Sequence, residues 1–132
     1  MASSSQGERD PIRVLLAEDD GSVAQMYKLK LELEGCRVDV APDGETAVQM
    51  ATRDLPDIMF LDIRLPKLDG IGVLQALRAD PRTKGLRVVI LSNYSRRELG
   101  DRAAKLGVLD HLIKTETTPA KLTAGLERWL KA

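Results

Sequence analysis

The chain predicts an α/β fold, doubly wound around a five-stranded parallel sheet, and three observations predict it. Short runs rich in leucine and β-branched residues alternate five times with longer segments of helical spacing. Three of those runs, at 12–17, 57–62 and 87–92, are almost unbroken apolar stretches, as strands covered on both faces require. A length of 132 residues suits one domain with a single core.

The elements follow in order. The opening "MASSSQGERD" is polar and lacks the apolar centre of a signal peptide, so residues 1–10 are expected to be a disordered leader before a domain over 11–132. "IRVLLA" (12–17) is the first strand, and a helix is expected over 21–34. Within it "LKLELE" (29–34) alternates like an amphipathic strand. Leu, Lys and Glu are helix formers and none of the six is β-branched, so helix is the reading. Val23, Met26, Tyr27 and Leu33 are assigned to one buried face, and Gly35 is the stop. "RVDVA" (37–41) is the second strand, "PDG" (42–44) a turn, and 44–53 the second helix. "DIMFLD" (57–62) is the third strand, followed by a helix over 67–79 and a loop at "DPRTKG" (80–85). "RVVILS" (87–92), a helix over 95–106, "VLDHLI" (108–113) and a helix over 118–131 complete the pattern. The sequence carries no internal repeat, low-complexity tract or second domain.

Composition excludes several functions. Twenty basic residues balance twenty acidic ones, which argues against nucleic acid binding and a polybasic membrane contact. Aromatics at 3% leave nothing for base stacking. Cys36 is the single cysteine, so neither an internal disulfide nor a cysteine-based zinc site is available, and it is expected to be a small core residue. His111 is the single histidine, which removes histidine-cluster metal sites. No apolar run reaches membrane-spanning length, and the default location is the cytoplasm.

The chemistry begins at "LLAEDDGS" (15–22), where a strand ends on Glu18, Asp19 and Asp20. Taken alone, this is a solvated turn whose polar side chains open a helix. In open α/β sheets, however, ligands sit beyond the carboxyl ends of the strands where the strand order reverses. The order 2-1-3-4-5 puts that reversal between the first and third strands, bringing Glu18 and Asp19 beside Asp62. Three converging carboxylates repel unless a hard cation joins them, and a few oxygen ligands suit Mg²⁺. Ser92 and Lys114 end the fourth and fifth strands at the same edge. Metal, carboxylate, hydroxyl and ammonium are the parts that hold and neutralise a phosphoryl group in transfer, and an aspartate can itself be the nucleophile.

The acidic pair after strand one, "DIRLPKLDG" after strand three, "LSN" after strand four and "IK" after strand five occur in order over residues 11–131. The chain thereby resembles the response-regulator receiver domain, the CheY-like family of two-component signalling, with its flavodoxin-like (βα)5 fold. The resemblance implies Asp62 as phosphoacceptor, Asp19 as direct Mg²⁺ ligand and Glu18 as the acidic partner that reaches the metal through water. It implies the backbone carbonyl of Arg64 as a further ligand, and Ser92 and Lys114 as holders of phosphoryl oxygens. Asp20 has no metal role in it and reads as a turn or cap residue. Two positions depart from the family: Thr115 stands where proline commonly follows the lysine, and His111 stands where an aromatic switch residue is common. His111 is read either as a packing residue or as a switch acting with Ser92. Arg64 either stays solvated or reaches over the phosphoryl group, and Tyr94 either covers the fourth helix or shields the site, so that both are candidate modulators of the phosphoryl lifetime.

The resemblance implies a phosphorylation-dependent switch of a two-component system or phosphorelay, not an enzyme beyond self-catalysed phosphotransfer and dephosphorylation. Its partners would be a sensor histidine kinase or phosphotransfer protein, and a downstream protein reading the face of the fourth helix, fifth strand and last helix. Arg96, Arg97, Asp101, His111, Lys121 and the neighbourhood of Trp129 are assigned to that face. Neither nucleic acid nor membrane is a direct partner, and the chain is expected as a monomer or weak dimer. One alternative is a receiver-like docking module that is never phosphorylated. A Mg²⁺-dependent phosphohydrolase of the haloacid-dehalogenase type would need a second acid where Arg64 stands. A flavodoxin-like FMN carrier would need a hydroxyl- and glycine-rich loop where the carboxylates stand.

Overall fold

The computed structural model describes residues 10–94, 96–99 and 101–132, the side chains of Arg96 and Glu98 excepted. The expected leader, apart from Asp10, lies outside the described residues. The chain runs β1 (Arg13–Ala17), α1 (Gly21–Leu33), β2 (Arg37–Ala41), α2 (Gly44–Asp54), β3 (Ile58–Leu61), α3 (Gly70–Ala79), β4 (Val88–Ser92), α4 (Arg96–Leu99), α5 (Arg102–Lys105), β5 (Asp110–Ile113) and α6 (Pro119–Leu130), with a 3₁₀ turn at Lys114–Glu116. The five strands form one parallel sheet in the order β2-β1-β3-β4-β5, as the sequence predicts.

Period-two alternation divides the core into two layers. Leu15, Ala17, Met59, Leu61, Val88 and Ile90 face α2 and α3, where Ala47, Ala51, Leu74 and Leu77 are buried, and Ala103 of α5. Val14, Leu16, Ile58, Phe60, Val89 and Leu91 face α1 and α6, packing on Ala24, Tyr27, Leu31, Leu122, Leu126 and Trp129. Each buried leucine, isoleucine or phenylalanine contributes about 1.5–3 kcal/mol relative to exposure. Cys36 and Trp129 are core residues, as expected; Trp129 meets Phe60 edge-on at 5.7 Å.

Two readings are corrected in α1. It presents Ala24, Tyr27 and Leu31 to the sheet, while Met26 and Leu33 are 47% and 73% exposed. The apolar residues of this helix make two stripes, and the Tyr27 hydroxyl settles which one is buried by donating to the Thr117 carbonyl at 2.7 Å.

Boundaries move for local reasons. The third helix starts at Gly70 rather than residue 67, because Lys67 is left-handed (φ 70°) and Asp69 caps the helix by accepting from the Gly72 amide at 2.8 Å. "PDG" is less a free turn than a helix start: Asp43 caps α2, and Gly44 is its first residue. A Cβ on Gly44 would lie 1.7 Å from the Leu68 carbonyl oxygen, so only glycine lets α2 approach the β3–α3 loop. Of the single helix expected over 95–106, residues 96–99 form α4 and 102–105 form α5, Asp101 is a turn, and residues 95 and 100 lie outside the described residues.

Candidate functional site

At the carboxyl end of the sheet, β1 and β3 are adjacent and both neighbours of the crossover are in place. The chain leaving β1 is tied down where the Glu18 amide donates to the Ala41 carbonyl at 3.0 Å. The Asp62 amide donates to the Ala17 carbonyl at 3.1 Å, fixing the end of β3 beside β1. The two bonds set Glu18 and Asp62 into the same corner. Glu18, Asp19 and Asp62 each offer a carboxylate oxygen within 4.8 Å of the others. Glu18 and Asp62 are buried and Asp19 is exposed, so one carboxylate of the three faces solvent.

Asp20 is the N-cap of α1: its side chain accepts from the Ser22 and Val23 amides at 2.9 and 3.2 Å. The three carboxylates in a row therefore divide: Glu18 and Asp19 stand with Asp62, and Asp20 caps a helix.

Lys114 reaches in from the end of β5. Its ammonium lies 2.6 Å from Glu18 Oε1 and 2.7 Å from Asp62 Oδ2. Burial pulls the Lys114 ammonium down, but the hydrogen bonds and charges of Asp62 and Glu18 outweigh it and hold its pKa above the ordinary value. Burial pushes the Glu18 carboxyl up, and Lys114 and the Asp20 amide pull against it without cancelling it. The sequence reading put Lys114 on phosphoryl oxygens alone; here it is also an internal counter-ion. One ammonium against three carboxylates leaves the corner acidic, and Asp19 has no cationic partner among the described residues. The donor set, all oxygen and partly unneutralised, fits a hard divalent cation.

These groups line a cleft of about 800 Å³ with Arg64, Tyr94 and Lys114. The Arg64 amide donates to Asp62 Oδ1 at 3.3 Å, and its guanidinium sits 5.9 Å from the Tyr94 ring centroid. Ser92 is fully buried at the end of β4, and its Oγ accepts from the Tyr94 amide at 3.1 Å. The Tyr94 carbonyl in turn meets His111 Nε2 at 2.7 Å, which places the ring proton on that nitrogen. His111 is therefore more than packing: it is bonded to the loop that follows Ser92. Of the face assigned to the fourth helix, fifth strand and last helix, His111, Lys121 and Trp129 line one groove. Arg97 and Asp101 do not line it, and the Arg96 side chain lies outside the described residues.

Asp69, Asn93, Leu99 and Arg102 also line the Asp62 cleft and were not singled out in the sequence. Asn93 and Asp69 stand within quoted motifs, so position was the available signal. Arg102 carried none, because its arrival depends on how the segment after β4 folds.

The comparisons agree with this geometry. The sequence profile of the response regulator receiver domain matches residues 14–127. The chain belongs to that family. It is 39% identical over 104 residues to the response regulator PleD of Caulobacter vibrioides, covering 77% of this chain and 22% of PleD. It is 40% identical over 104 residues to the transcriptional regulatory protein PrrA of Mycobacterium tuberculosis, covering 77% of this chain and 43% of PrrA. The receiver domain thus spans less than half of these two curated relatives. Among solved structures, chemotaxis response regulator CheY4 of Vibrio cholerae superposes with a TM-score of 0.83 at 25% identity, covering 91% of this chain and 99% of that one. The receiver domain of sensor histidine kinase PA1611 of Pseudomonas aeruginosa, whose active-site cleft holds a magnesium ion, gives 0.82 at 30% identity, covering 93% and 100%. This chain is a receiver domain of two-component signalling, and no helix among its described residues is long and apolar enough to cross a membrane.

Proposed function

We propose that this receiver domain is a cytoplasmic switch that accepts a phosphoryl group on Asp62. The donor is a phosphohistidine of a sensor histidine kinase or phosphotransfer protein. The observation that carries the reading is the Asp62 carboxylate, buried at the end of β3, 2.7 Å from Lys114 and within reach of Glu18 and Asp19. An Asp62 carboxylate oxygen attacks phosphorus, the P–N bond breaks with its electron pair going to the imidazole nitrogen, and an acyl phosphate forms. Glu18, Asp19, Asp62 and the Arg64 carbonyl would hold Mg²⁺, which supplies neutralisation of the phosphoryl charge in transfer. Lys114 keeps a cation beside the transferred oxygens. Arg64 and Tyr94, paired over the cleft, limit the access of water to the acyl phosphate.

Ser92 turns toward the phosphoryl group and loosens its bond from the Tyr94 amide, and the Tyr94 carbonyl is bonded to His111. Phosphorylation thereby biases two arrangements of the loop after β4 and of the groove beside β5 that a downstream protein reads. Intact mass after incubation with acetyl phosphate and Mg²⁺ tests the acceptor. Wild type gains one phosphoryl group, and Asp62→Asn gains none. In amide NMR spectra of the phosphorylated protein, shifts spread from Asp62 through Ser92 to residues 94–114. A phosphoryl gain surviving Asp62→Asn moves the acceptor elsewhere; no gain in wild type leaves a docking module.

A further inference from the structure

The amino ends of β4 and β5 form a second cleft, at the end of the sheet opposite Asp62. It measures about 530 Å³, within the range of small-molecule sites. Arg78 builds its wall. The guanidinium donates to the Leu106 carbonyl at 2.7 Å, to Leu86 at 2.8 Å and to Lys84 at 2.9 Å, which ties the α3–β4 loop to the α5–β5 loop. Those bonds occupy Arg78. Three further cations line the same cleft, Lys84, Arg87 and Lys105, and none has an ion-pair partner among the described residues. No acidic side chain lines it, and the one anionic group at its edge, the Ala132 carboxylate, makes no ion pair with these cations among the described residues. In a chain of zero net charge, that concentration of one sign is local and not a reflection of composition.

A second observation points the same way. Arg87 Nε is closed off from solvent and has no hydrogen-bond acceptor among the described residues. That edge of the guanidinium is therefore not claimed by any carbonyl or carboxylate among the described residues. Leu86, Leu106 and Leu109 give the cleft an apolar side, and Leu109 is 36% exposed there.

We propose that this cleft is an anion site for a compact phosphate-bearing small molecule, held by Arg87, Lys84 and Lys105. A guanidinium and two ammonium groups lining one cleft from two loops suit the several oxygens of a phosphate better than a lone carboxylate. Bound there, the anion clamps the end of α5 to the α3–β4 loop. It therefore acts on the segment between the acceptor site and β5, without touching Asp62.

Amide NMR titration of the metal-free protein at fixed ionic strength tests the site, with inorganic pyrophosphate in one arm and adenosine diphosphate in the other. Saturating shifts at residues 84–87 and 105–109 are expected. Arg87→Gln should weaken them about tenfold, as should Lys105→Ala, while Lys30→Ala on α1 leaves them unchanged. Tighter binding of the diphosphate nucleoside assigns the apolar side to a nucleoside body; equal binding assigns the site to phosphate alone. Shifts that never saturate, or that Lys30→Ala weakens equally, overturn the proposal, as do shifts confined to the loops around Glu18 and Asp62.

Discussion

Helices α2 and α3 run for 11 and 10 residues, and each begins on an aspartate whose side chain accepts from a first-turn amide. Helices α4 and α5, toward the β5 edge on the same face of the sheet, run four residues each, and α5 has no side-chain cap. The strands show the same contrast: every residue of β3 and β4 is buried, and every residue of β5 is half-buried. A helix of one turn barely outweighs its nucleation cost, so its order depends on what it packs against. The site draws its rigid groups, Glu18 and Asp62, from the well-built half. It draws Lys114 and the His111–Tyr94 contact from the edge where local opening costs least, with the buried Ser92 of β4 between the two. The proposed switch would use both: an acceptor held still, and a readout with a second arrangement within reach.

The largest test of that contrast is core truncation on its two sides. Leu77 of α3 is fully buried, whereas Leu99 of α4 is half-buried and packs on the rim of the same cluster. Leu77→Ala should cost about 2–5 kcal/mol in denaturant unfolding. Leu99→Ala should cost about 1 kcal/mol or less and should speed amide exchange over α4 and α5 more than over β1 and β3. Equal costs would mean that the α4–α5 segment is as firmly built as α3.

The same contrast explains what the sequence made legible. Strands β1, β3 and β4 read as continuous apolar runs because both faces are covered; five alternations gave the parallel α/β class, and the strand order came with the resemblance to the receiver family. Glu18, Asp19, Asp62, Ser92 and Lys114 stand at or just beyond the carboxyl ends of strands, which the sequence made legible because a short motif fixes each position. Side-chain pairing was not legible. That Lys114 bridges Glu18 and Asp62, and that His111 holds the Tyr94 carbonyl, depends on the reach of side chains from elements far apart in sequence. The α1 face was misread because Met26 and Leu33 are as apolar as Ala24 and Leu31. Hydrophobicity alone does not say which stripe meets the sheet. The break between α4 and α5 escaped because helix propensity over 95–106 is high apart from Gly100.

A smaller effect separates the helix caps. Asp69 accepts from the Gly72 amide at 2.8 Å, and Asp101 makes no such bond at the start of α5. Asp69→Ala should therefore cost about 1 kcal/mol of stability, and Asp101→Ala close to nothing. A loss at Asp101 matching that at Asp69 would show α5 to be capped in solution, and the contrast between the two halves would narrow.

The smallest expected effect is one of pH, and it isolates charge from capping on the rigid side. Asp43 accepts from the Thr46 amide at 2.7 Å and the Thr46 hydroxyl at 3.0 Å, with Lys67 at 3.7 Å. The Thr46 amide is the largest influence; with the hydroxyl and Lys67 it outweighs burial and holds the carboxyl below its ordinary value of 3.8. The folded protein then binds its proton less readily than the unfolded chain does. The stabilisation is present above 3.8 and is lost as pH falls through the folded value. Asp43→Asn keeps a capping oxygen and removes the charge. Wild type should melt higher than the variant at neutral pH, and the gap should close as the solution is acidified. Asp54 and Asp80, whose carboxyls are also lowered, titrate in both proteins and cancel in the difference. A gap in melting temperature that stays constant down to acid pH would show that the cap oxygen, and not its charge, fixes the start of α2 against the β3–α3 loop.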